Sequence, residues 1–196
     1  MKVHISRGNT KLGSIPSVSL PPVISCPPGV PCRKACYARR AYECYASNTA
    51  GLAWRDNWEV WNASPQRYFE EIDSFIRKKK PERFRWHVSG DIPSKVYFEN
   101  MISIAQRYEQ TIFATYTKNL DILADWSFSK GNLPWNLIVM ESIWLDGTRN
   151  FSAHPAFKVV ARPELIPEGV LRCFGNCREC WLCYRQGIQE VYNVLH

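Results

Sequence analysis

The chain has 196 residues and a mass of 22.7 kDa, enough to bury one full core, and its 45% hydrophobic content with 8 Trp excludes a disordered protein. A net charge of +7 and a pI near 9.0 suit a nucleic acid or another polyanion as partner, because neutralised phosphates release counterions. No run of about 18 apolar residues offers a membrane span, and the opening MKVHISRGNTKLGSIP lacks the apolar centre of a secretory signal, so the expected compartment is the cytosol.

Residues 13–32 carry Pro16, Pro21, Pro22, Pro27, Pro28 and Pro31, which favour extended and turn backbone and place the first cysteines on a loop. Leu52, Trp54, Trp58 and Trp61 then recur at helical spacing, predicting a helix over about 48–62 with that stripe in the core. The run SPQRYFEEIDSFIRKKK predicts a second helix from Ser64, with a capping serine, Pro65 at the first helical position and a buried face of Tyr68, Phe69, Ile72, Phe75 and Ile76. Its closing Arg77, Lys78, Lys79 and Lys80 complement the helix dipole. FRWHVSGDI reads as a strand running into a loop at Gly90. A helix over about 95–108 follows, with Val96, Met101, Ile104, Ala105 and Tyr108 inward; then come a strand TIFATY, a short helix over 119–128, a strand LIVMESI and a fourth strand KVVAR.

Strands alternating with helices predict a single α/β domain over residues 1–196. The expected architecture is a partial (β/α) barrel or an open, mostly parallel sheet with crossover helices and cysteine-rich loops at both termini, 26–44 and 173–183. Functional residues in such folds gather at the carboxyl-terminal ends of strands, where Ser89, Gly90, Asp91, Thr117, Lys118, Glu141 and Ser142 fall.

The 8 cysteines divide into two groups. Cys26, Cys32, Cys36 and Cys44 stand at gaps of five, three and seven residues, and Cys173, Cys177, Cys180 and Cys183 at gaps of three, two and two. In a reducing compartment such thiols are metal ligands, with disulfides as the alternative reading. Close spacing on one short segment suits a 4Fe–4S cluster, one or two in number, while paired cysteines drawn from separate segments suit zinc. Cys173, Cys177 and Cys180 have the C-x3-C-x2-C spacing of radical S-adenosylmethionine enzymes, in which three thiolates leave one iron open to the small-molecule cofactor, although that motif normally lies near the amino terminus. Arg33, Lys34, Arg39 and Arg40 beside the first group offset thiolate charge.

Outside the cysteines, His87, Asp91 and Glu141 are the candidate catalytic groups, and Ser89, Gly90 and Asp91 the candidate cofactor-binding residues. A histidine next to a strand end is suited to proton transfer or metal ligation, though a hydrogen-bonded core histidine is the commoner outcome. Gly90 permits close backbone approach to a ligand, and Glu141 is either a functional carboxylate or one that meets solvent. Tyr37 and Trp181 adjoin cysteines and are expected to shield a cluster. Phosphate-loop, dinucleotide and H-E-x-x-H motifs are absent.

KLGSIPSVSLPP, CPPGVPCRKACYA, FRWHVSGDI and the C-x3-C-x2-C-W ending with VYNVLH together resemble the phage gene product 88 family, across nearly the whole chain. The resemblance implies that Cys26, Cys32 and Cys36 match one set of family cysteines and Cys173, Cys177 and Cys180 another, while Cys44 and Cys183 depart from the pattern. It also implies a phage or prophage origin, a host cytoplasm and a distant likeness to radical iron–sulfur enzymes. Three functions follow as expectations: an iron–sulfur enzyme of radical type, a metal-stabilised nucleic-acid-binding protein, and an electron-transfer or redox-sensing module.

Overall fold

Each predicted strand feeds the same sheet. The computed structural model describes residues 1–44, 49–129, 132–151 and 153–195; the side chain of Cys44 and the terminal His196 lie outside that description. Among the described residues eight strands form one sheet: β1 (Ile5–Ser6), β2 (Ser17–Val18), β3 (Arg83–Trp86), β4 (Ile112–Thr117), β5 (Leu137–Trp144), β6 (Ala156–Val160), β7 (Leu171–Arg172) and β8 (Glu190–Val194). Their order is β1-β2-β3-β4-β5-β6-β8-β7, and every pairing except β1 with β2 is parallel. The sheet stays open, with β1 and β7 as its edges, so of the two expected architectures the open, mostly parallel sheet is the one realised.

The connection from β2 to β3 carries α1 (Tyr37–Cys44), α2 (Thr49–Ala63) and α3 (Pro65–Lys79); α4 (Lys95–Arg107) and α5 (Leu120–Ser129) fill the next two crossovers. α3 begins where Ser64 accepts the Arg67 N–H and ends where Lys80 turns left-handed and returns its own N–H to Ile76, as the capping pattern predicts. Ser94 caps α4 in the same way through the Tyr97 N–H.

Three side-chain expectations need correction. In α2 only Trp61 of the predicted stripe is buried; Leu52 is exposed, and Trp54 and Trp58 are half-buried. Asn57 takes the inward position because it ties the helix to the sheet, accepting the His4 N–H at 2.7 Å and donating to the carbonyls of His4 and Ser19. In α4, Val96 is exposed and Tyr97 and Phe98 are buried, while Tyr108 and, in α3, Phe75 are half-buried. α1 went unpredicted, its Tyr-Ala-Arg-Arg sequence following too closely on the proline-rich stretch.

The two faces of the sheet are covered differently. Val18, Phe84, Trp86, Phe113, Leu137 and Val139 pack against α2 to α5, with Trp61, Tyr68, Phe69 and Tyr97 forming a cage of edge-to-face rings. The alternate residues, Ala114, Ile138 and Met140, face away from those helices and are covered by Leu12, Ile15, Cys173, Cys183 and Tyr184. Strand alternation thus gives one helix-bearing face and one face roofed by the two ends of the chain.

Candidate metal centre and strand-end residues

The roof is built from the carboxyl-terminal cysteines. Cys173 donates its N–H to Tyr192 of β8 at 2.7 Å, and the short α6 (Cys177–Cys180) is anchored when Cys177 and Arg178 donate to the Lys11 carbonyl. Gly13 allows the two segments to touch, because its φ is +63° and a Cβ there would stand 2.5 Å from the Arg178 Cβ. Trp181, itself left-handed at φ 49°, lies 3.9 Å from the Arg83 guanidinium, which fastens the segment to β3. Cys173, Cys177, Cys180 and Cys183 line one pocket with Trp181, Leu182, Tyr184 and Val191. Cys173 and Cys183 are buried and Cys177 and Cys180 half-buried.

Burial pushes the Cys183 thiol up to about 11, and raises Cys177 as well, against the pull of the Lys11 and Arg85 cations. The Tyr184 hydroxyl is buried beside Arg85, Cys177 and Cys183 with no hydrogen-bond partner among the described residues.

The amino-terminal cysteines occupy the carboxyl-terminal edge of the sheet. Cys26 lies on a loop, Cys32 in the 3-10 turn Pro31–Ala35, and Cys36 between that turn and α1, its sulfur accepting the Arg39 N–H at 3.4 Å. Burial pushes Cys26 up to about 11, with Asp91, Cys36 and Cys32 within electrostatic reach; Lys118 acts in the opposite sense on Cys32. The Tyr37 hydroxyl donates to the Val88 carbonyl at 2.5 Å and lies within reach of Cys32, Cys36 and Cys177, so the two groups are neighbours in space. Tyr37 is 70% exposed, so it gives a cluster less cover than predicted.

All seven cysteines with described side chains are free thiols. Among the described residues no group of three or more His, Cys, Asp or Glu is arranged to hold a metal ion. The residues nonetheless fit a thiophilic metal in kind: four thiols line one largely apolar pocket, with cations nearby and Gly175 donating its N–H to the Cys173 sulfur at 3.4 Å.

The strand-end candidates are brought together, but their side chains are engaged with the protein itself. Asp91 is buried and accepts from Ile92 N–H, Thr117 hydroxyl and Lys118 N–H at 2.7, 2.6 and 2.8 Å, binding the turn after β3 to the end of β4. Burial pushes its carboxyl up, and those three donors pull it down. Glu141, 1% exposed, accepts from the Asn150 backbone and side chain and from Phe151 N–H, which folds the following loop against β5. His87 follows β3 at φ 56° and sits in a buried chain, Tyr68 to Tyr97 at 2.8 Å and Tyr97 to His87 Nε2 at 3.0 Å, with Thr115 on its other nitrogen. The close approach that Gly90 permits is to Leu20 and Ser25, on the segment leading to Cys26. Ser89 keeps its hydroxyl buried and unpartnered among the described residues. Arg85 and Tyr116, stacked at 3.7 Å beside Cys183, go beyond the sequence reading; Arg alternating with Phe and Trp along β3 was the available signal.

A model of one family, gene product 88, matches residues 3–155. The chain belongs to the gene product 88 family. The match takes in Cys26, Cys32, Cys36, Cys44, His87, Asp91 and Glu141 and stops short of the roof cysteines. The match covers β1 to β5 and ends just before β6. No curated protein and no solved structure matches the chain.

Proposed function

We propose that this gene product 88 protein binds an iron–sulfur cluster through Cys173, Cys177, Cys180 and Cys183. The observation that carries this reading is the shared pocket: four thiols from one short segment, at gaps of three, two and two residues, face one space over the helix-free side of the sheet. Cys26, Cys32 and Cys36 are proposed as a second thiolate group at the strand ends. An iron–sulfur cluster bound there supplies one-electron chemistry. The chain's own contributions are the apolar walls of Leu182 and Val191, which limit water, and the Arg85 and Lys11 charges, which favour thiolates. A phage origin and action in a host cytoplasm accompany the proposal; among the described residues no helix is long and apolar enough to cross a membrane.

Anaerobic purification with metal analysis and an absorption spectrum is the test. Iron and sulfide with a broad visible band, reduced by Cys177→Ser and Cys180→Ser, is the expected result. A colourless protein with stoichiometric zinc overturns it. Use of S-adenosylmethionine is the finer proposal, and the place of the cysteines bears on it: the triad with radical-enzyme spacing roofs the sheet, whereas the triad at the strand ends is Cys26, Cys32 and Cys36. Release of 5′-deoxyadenosine by the reduced protein supports that use. Reversible reduction without turnover favours electron transfer.

A second reading, nucleic-acid binding, rests on a separate cleft of about 760 Å³ at the β1 edge, lined in part by Lys2, Arg7, Lys78, Trp54 and Phe75. Cations beside rings suit a phosphate backbone with stacked bases. Binding of single-stranded DNA or RNA that weakens steeply with salt supports it, and negligible binding at low salt removes it.

A further inference from the structure

The carboxyl-terminal end of the helix-free face gathers rings and a second cation, Lys118, beyond the Arg85 charge that favours thiolates. Lys118 follows β4 directly; its Nζ donates to the Ser142 hydroxyl at 2.6 Å and stands 6.0 Å from the centroid of the Trp144 ring. On the neighbouring strand the Arg85 guanidinium lies 3.7 Å from the Tyr116 ring centroid, and Tyr116 meets Phe157 edge to face at 4.8 Å. Lys118, Ser142, Trp144, Arg85, Tyr116 and Phe157 are all half-buried.

Asp91 lies within electrostatic reach of Lys118, and Cys177 and Cys183 within reach of Arg85. Among the described residues no Asp or Glu forms an ion pair with Lys118 or Arg85. The carboxylate of Asp91 takes the Lys118 backbone N–H, and its oxygens are already occupied by Thr117 and Ile92. Moving a cation partly out of water without an ion-paired carboxylate is costly, and a bound anion relieves that cost. Open parallel sheets also receive ligands at the carboxyl-terminal ends of their strands, where these residues stand.

We propose that this end of the face binds a small organic anion: a carboxylate or phosphate group held by Lys118 and Ser142, joined to a flat ring that lies against Trp144. The alternation of β4 and β5 sets the arrangement. Tyr116 and Lys118, and likewise Ser142 and Trp144, are two residues apart and share the helix-free side, and Thr117 pairs with Glu141 so that Lys118 meets Ser142. The site is made of its own residues, although Tyr116 hydrogen-bonds Cys183 and Cys32 lies within reach of the Lys118 charge.

The test titrates the full chain, as purified, with benzoate, phenyl phosphate and neutral benzamide at constant ionic strength, followed by amide NMR shifts. Saturable shifts at residues 116–118 and 142–144 with an anion are expected, with benzamide weaker by about tenfold or more, or ~1.4 kcal/mol. Benzoate alone identifies a carboxylate site, and phenyl phosphate alone a phosphate site. Lys118→Met is expected to weaken the preferred anion by at least about tenfold and Lys118→Arg to retain most of the binding. Ser142→Ala, a smaller change, serves if Lys118→Met does not fold, with a loss of about threefold or more expected. Benzamide binding as well as the anions, no saturable shift with either anion, or unchanged affinity in a folded Lys118→Met or Ser142→Ala overturns the proposal.

Discussion

Asp91 and Glu141 show how little a carboxylate's position on a strand end says about its task. Both are buried, and both spend their oxygens on backbone N–H groups of the loops that follow. Lys118, one residue beyond the end of β4, is half-buried and turns its ammonium to Ser142 rather than to Asp91. His87 is likewise engaged, and its environment predicts a pH effect. Burial, and then the nearby Arg85 charge, push it down from 6.5 to about 3, while Tyr97 and Thr115 face it from α4 and β4. The unfolded chain therefore binds a proton below 6.5 that the folded chain refuses until about 3, so stability falls as pH drops through that window. At pH 5 the loss is about 2 kcal/mol. His87→Asn, which tolerates the left-handed backbone, is expected to remove this component; urea unfolding of both proteins at pH 7 and pH 5 measures it. A second prediction concerns Gly90, where φ is +81° and a Cβ would stand 2.5 Å from the Ser25 hydroxyl and 2.9 Å from Leu20. Gly90→Ala is expected to cost about 1–3 kcal/mol in urea unfolding and, if Cys26 contributes to a centre, to lower its metal content.

Among the elements, α3 was the most legible because cap, proline and apolar face agree. Ser64→Ala is expected to lower stability by about 1 kcal/mol, read as a shifted denaturation midpoint with unchanged slope. α2 was legible as a helix but not in its orientation. Its Trp residues are large and apolar, yet the backbone polar groups of His4 and Ser19 require a partner, and Asn57 supplies it. A hydrogen bond demanded by a distant strand overrides the stripe. β3 was read as running into His87 and beyond, but it stops at Trp86 because the next residue turns left-handed.

The whole molecule depends on its ends meeting. The helix-free face carries Ala114, Ile138 and Met140 and is covered by the 9–15 loop and by the cysteine segment that leads into β8. Ending the chain after Arg172 removes β8 and this roof; the truncated protein is expected to bind an apolar dye strongly and to lose cooperative unfolding, measured by dye fluorescence and thermal melting. By itself the sequence determined the alternation of strands and helices, their parallel pairing and the presence of two cysteine groups, because periodicity and spacing are local properties of the chain. Tertiary structure alone decided that the sheet stays open, that groups more than a hundred residues apart meet around Tyr37, and that Asp91 and Glu141 hold loops while Lys118 reaches Ser142. Those outcomes arise from contacts between segments far apart in sequence, and no local pattern encodes which hydrogen-bond donors will reach a carboxylate first.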